Sequence, residues 1–106
     1  MSPEARKLAK LLEKKYQICK QIFSILKFQL ETVKSMLCAV ANERCFPLET
    51  RMKGLELIYE GGYITYHLNL AKPNRNQTFE QQIVLVRTIR TQVQDWVRRS
   101  EELLSL

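Results

Sequence analysis

From Ala5 onward, apolar residues recur in alternating steps of four and three: Ala5, Ala9, Leu12, Tyr16, Cys19, Phe23, Leu26, Leu30, Val33, Leu37 and Val40. That rhythm keeps one face of a helix apolar over many turns. No glycine or proline interrupts the chain between Pro3 and Pro47. At the start, Ser2 can cap, Pro3 suits the first helical position and Glu4 meets the positive end of the helix dipole. The pattern predicts one long helix over residues 3–44.

Pro47 suits the first turn of a second helix. Leu48, Met52, Leu55, Tyr59, Gly62, Tyr66 and Leu70 then keep helical spacing straight through Gly61-Gly62. Ile64, Tyr66, Leu68 and Leu70 also alternate with Thr65, His67 and Asn69, which would suit a strand. No other stretch alternates convincingly, however, and a lone strand has no sheet to join. The expectation is a helix over about 47–71, weakened or kinked at the glycine pair. Lys72 to Asn76 reads as a loop, and Thr78-x-x-Gln81 as a capping box. Phe79, Ile83, Val86, Ile89, Val93, Trp96 and Leu103, with Val97 and Leu104 beside them, give a third helix over about 78–105 its core face. The fold class expected is all-α: an antiparallel three-helix bundle forming a single domain over residues 1–106.

Lengths then matter. At 1.5 Å per residue the first helix is about 60 Å long, the second about 36 Å and the third about 40 Å. Folded back from the Arg44 end, the second reaches only to about Cys19 to Gln21, so residues before about Lys20 lack an intramolecular partner. That stretch nevertheless carries Leu8, Leu11, Leu12, Tyr16 and Ile18. Burying each large aliphatic would contribute about 1.5–3 kcal/mol before ordering costs. Further along, Ile18, Ile22 and Ile25 form a second apolar line, and Phe28 falls on the opposite face with Gln21, Ser24 and Glu31. Leu8, Leu12, Tyr16, Ile22 and Phe28 are therefore the candidate partner-binding residues.

Charge sharpens this picture. The 106 residues carry a formal net charge of +6. Residues 1–35 hold eight Lys/Arg against three Glu, and so five of those six positive charges. Arg6, Lys20, Lys27 and Lys34 stand seven or fourteen apart and line one ridge, interrupted at Glu13. Such a ridge could meet phosphates, acidic headgroups or an acidic partner helix, although a solvated helix face is its plainer reading. No zinc-finger, RNP-type or GxxG signature accompanies it, and no aromatics interleave as a stacking surface would require. The longest charge-free stretch, around Ile64 to Ala71, is far below the roughly 18 residues that cross a bilayer. With no charged-then-apolar leader and an odd cysteine count, the chain reads as intracellular and cytoplasmic, with a nuclear location left open.

Candidate chemistry is sparse. The one histidine, His67, would need an acid and a nucleophile to converge on it. Cys19, Cys38 and Cys45 are separated by 19 and 7 residues, without the close pairs of a zinc site. Cys19, on the seam, reads as a small buried hydrophobe. Gly61-Gly62 is not a phosphate loop, and the glutamates do not form the Glu-x-x-His pairs of a di-iron bundle. Asn76-Gln77-Thr78 matches a glycosylation sequon but reads better as loop and cap. The expectation is a protein without an active site, cofactor or metal.

Leu57-Ile58-Tyr59-Glu60-Gly61-Gly62-Tyr63 resembles the leucine-tyrosine and small-residue stretch in the second helix of MIT domains, the microtubule-interacting and trafficking modules. Val93 to Leu103, with Trp96, Arg99, Ser100 and Glu101, is similar to the close of their third helix, with Ser100 standing where alanine is usual. The likeness covers about half the chain, and the first helix is more than twice as long as that family needs. It implies recognition of short tail motifs in grooves between helices. Together these readings point to a non-enzymatic interaction or assembly module, docking another protein or itself through the long first helix. The alternative is a basic helical binder of nucleic acid or an anionic membrane surface.

Overall fold

Two of the three helices begin where a side chain can satisfy amide groups that the first turn leaves free. The Ser2 hydroxyl accepts from the Ala5 amide at 3.1 Å, directly before Pro3. At the third helix, the Gln81 amide donates to Thr78 Oγ1 at 3.2 Å and the Thr78 amide donates to Gln81 Oε1 at 3.0 Å, closing the expected capping box. The computed structural model describes residues 2–105, as α1 (Pro3–Asn42), α2 (Leu48–Leu70) and α3 (Phe79–Leu104). Pro47 sits at the N-cap of α2, one place outside the helix it was expected to open. α2 runs unbroken through Gly61-Gly62, so the strand alternative does not form.

All three helices pack on one another in an elongated bundle measuring 66 × 16 × 16 Å. Its core is the α1 seam, with Cys19, Phe23, Leu26, Leu30, Leu37 and Val40 buried, set against Ile64 and Leu68 of α2. Val86, Ile89, Val93, Trp96 and Leu103 complete it from α3. Trp96 is fully buried, and its Nε1–H donates to the Leu57 carbonyl of α2 at 2.8 Å. Ser100, one turn on and equally buried, donates its hydroxyl to the Trp96 carbonyl at 2.8 Å. The indole lies directly over Gly61. A Cβ at that position would stand 2.6 Å from Trp96 Cζ2 and 3.2 Å from Lys34 Cγ of α1. Beside this contact, Arg99 forms a two-pronged ion pair with Glu60 of α2, and its Nε also donates to Asp95 at 2.9 Å. These hydrogen bonds, that to Glu60 foremost, hold the Arg99 guanidinium well above its ordinary pKa.

α2 departs from expectation in which face it buries. The stripe that argues for the helix, Leu48, Met52, Leu55, Tyr59, Gly62, Tyr66 and Leu70, lies in solvent. The packed face is instead Gly54, Gly61, Ile64 and Leu68, with Leu57 and Ile58 partly buried beside it. The physical reason is the indole. A helix that must approach Trp96 this closely presents glycine there, and the bulky residues are carried to the other side.

The two glycines should therefore answer oppositely to alanine. Gly61→Ala drives a methyl into Trp96, and overpacking of that kind costs about 1–3 kcal/mol. A methyl on Gly62 would meet nothing within 4 Å, so Gly62→Ala should stabilise by about 0.5–1 kcal/mol through helix propensity. Urea unfolding of the two variants beside the parent chain checks both signs.

Candidate interaction surface

The loop between α2 and α3 decides how much of α1 stays uncovered. Gln82 is buried at the start of α3, and its Nε2 donates to the Asn74 carbonyl at 2.6 Å. The Asn74 carbonyl also accepts from the Gln77 amide at 3.0 Å, and Asn74 Oδ1 accepts from the Asn76 amide at 2.9 Å. Held in this way, the loop lays the Arg75 guanidinium over the Tyr16 ring, 4.4 Å from its centroid, and pairs it with Glu13. Lys15 sits 4.7 Å above the Phe79 ring. The bundle thus reaches down to Glu13, about two turns beyond the expected limit near Lys20. The loop, with Phe79 at the start of α3, covers those turns. Residues 2–14 are all exposed.

The five candidate partner residues divide. Leu8 and Leu12 project from the overhang, 56% and 49% exposed, on the same side of α1 as the core seam. Tyr16 is half-buried beneath Arg75, and Ile22 packs against the core beside Phe23 and Leu26. Phe28 stands 69% exposed on a different side of α1. Only Leu8 and Leu12 therefore share one surface. Leu11, which the four-and-three spacing passes over, joins them at 49% exposure. Its signal was the line it makes with Ile18 and Ile25 at intervals of seven. Lys7, Lys10, Glu13, Lys14 and Gln17 border Leu11 in a shallow groove.

Of the basic ridge, Arg6, Lys20 and Lys27 are exposed. Lys34 is not free: it is half-buried against Gly61, and its ammonium donates to Thr65 Oγ1 at 3.5 Å. The ridge therefore ends inside the α1–α2 contact. Arg98, exposed on α3, is paired with Asp95 at 2.9 Å and Glu102 at 2.8 Å.

Of the groups that might do chemistry, Cys19 is completely buried and burial pushes its thiol pKa up, away from the reactive thiolate. Cys38 and Cys45 are exposed, and all three are free thiols. His67 is half-buried with its ring 4.6 Å from that of Tyr63 and 5.7 Å from that of Tyr66. Among the described residues no three His, Cys, Asp or Glu side chains are grouped to hold a metal ion. Nor, among them, is any helix long and apolar enough to cross a membrane. Comparison with protein-family models, with curated proteins and with solved structures finds no match to this chain.

Glu13 links the loop to pH. A hydrogen bond from Gln17, then one from Arg75, holds its carboxyl below the ordinary carboxylate pKa. A carboxyl depressed in the folded state gives its full stabilisation above its unfolded pKa and loses it as pH falls through the folded value. Acidification from about pH 6 to about pH 3, across the carboxylate range, should move the Tyr16 ring resonances toward those of Arg75→Ala. The Trp96 indole signal should hold until global unfolding. Tyr16 resonances that stay in place through this range would show that the ion pair does not hold the loop down.

Proposed function

We propose that this protein is a non-enzymatic docking module whose overhanging α1 receives an acidic amphipathic helix from another protein. The observation that carries this reading is the overhang itself: a helical extension with exposed Leu8, Leu11 and Leu12, where Lys7, Lys10 and Lys14, together with Glu13, border Leu11. Leu8 and Leu12 continue the line of the core, so an added helix can extend the bundle's own packing past its end. The lysines choose its sign. Pairing two such overhangs would set lysine against lysine, whereas glutamates along a partner helix would complement them. The resemblance of Leu57 to Tyr63 and of Val93 to Leu103 to MIT domains supports recognition of helical or extended segments in general.

The competing reading, an electrostatic binder of nucleic acid or anionic membrane, draws on the same exposed lysines. Salt separates the two. A synthetic helix with leucines on one face and glutamates beside them is expected to bind and to shift amide resonances within residues 4–18. That binding should persist in about 0.5 M salt, where screening is short-ranged. Leu8→Glu combined with Leu12→Glu should weaken it at least about tenfold, or 1.4 kcal/mol. Failure of the helix to bind overturns the proposal. So does binding that collapses with salt as steeply as that of single-stranded DNA or phosphatidylserine vesicles, which instead supports the electrostatic reading.

A further inference from the structure

The outer face of α2 is a second unpartnered surface, independent of the overhang. Its apolar residues all lie in solvent, with Tyr59 81% exposed at the middle. Their positions are symmetric about that residue. Leu55 and Tyr63 lie four away on either side, Met52 and Tyr66 seven away, and Leu48 and Leu70 eleven away. The spacing therefore reads the same in both directions. A helix face with this property matches an antiparallel copy of itself, because each apolar side chain stands opposite its mirror position. We propose that two copies of this chain pair through the outer faces of α2, antiparallel, about a twofold axis at Tyr59.

Area and charge both favour this occupant. A tyrosine presents about 150–250 Å², and the whole stripe offers on the order of 800 Å² per copy, the share each partner brings to a standard interface. A patch of that size exceeds the few hundred Å² that monomers ordinarily leave exposed. Along one shoulder of the stripe, Glu49 and Glu56 occupy the first half of α2, and Tyr63 and His67 the second. Antiparallel twofold pairing brings this shoulder against its own copy, so that acid meets phenol and imidazole. In such a dimer the two α1 overhangs point out at opposite ends.

Sedimentation equilibrium on the full chain is expected to give twice the 12.5 kDa monomer mass. Tyr59→Glu places two carboxylates at the axis and should weaken dimerisation at least about thirtyfold. Its helicity should match that of the parent, since Tyr59 makes no core contact. Leu8→Glu with Leu12→Glu should leave the dimer intact, so this inference and the proposed docking function fail separately. Direction is read by oxidative cross-linking, with Cys38 and Cys45 replaced by serine. Tyr59→Cys should cross-link to itself. Met52→Cys should cross-link to Tyr66→Cys when the two proteins are mixed, and not to itself, being about 21 Å from its own copy. A strict monomer at high concentration, a dimer lost only with the overhang leucines, or self-cross-linking of Met52→Cys would each overturn the proposal.

Discussion

The contact on which this bundle turns is a tryptophan laid against a bare stretch of helix backbone. Trp96 has the largest side chain among those fully buried, and it lies where α1, α2 and α3 come together. A ring of that size can be buried between closely packed helices only if one of them offers no side chain, and Gly61 is that place. The indole N–H, which would be costly to bury unpaired, finds the Leu57 carbonyl one turn earlier on the same helix. Area and hydrogen bonding are satisfied by one approach. Ser100 and the Arg99–Glu60 pair then frame the same junction.

That contact governs what the rest of α2 can be. Since its inner face is built partly from Gly54 and Gly61, α2 approaches its neighbours through small residues and keeps its tyrosines for the other side. A helix apolar on two opposite faces is buried on one and available on the other. α1 reaches a similar state by a different route, being longer than anything folded against it. The overhang and the outer face of α2 are thus both open and apolar, one flanked by lysines and one nearly balanced in charge. That difference in charge underlies the two proposals, a foreign acidic helix for the first and a second copy of the chain for the second.

Much of this was legible from spacing. The α1 seam named its buried residues from Cys19 to Val40, the stretch against which α2 and α3 pack. The α3 face and its capping box followed from equally local signals. The overhang was legible as an inequality of lengths. Its limit was not: Gln82, an ordinary polar residue in sequence, is buried to hold the loop that carries Arg75 to Glu13 and Tyr16. Spacing alone marks Tyr16, Ile22 and Lys34 as available, yet all three are engaged within the bundle. Periodicity identifies a face but not what stands opposite it.

Sequence by itself determined that there are three helices, where they start, and that the first outruns the others, since capping, propensity and rise per residue act within a few neighbours along the chain. Which side of α2 turns inward was decided only in three dimensions. That helix carries two apolar faces, and local energies do not rank them. The choice belongs to Trp96, 35 residues further along the chain, whose ring fits against Gly61 and against no bulkier residue.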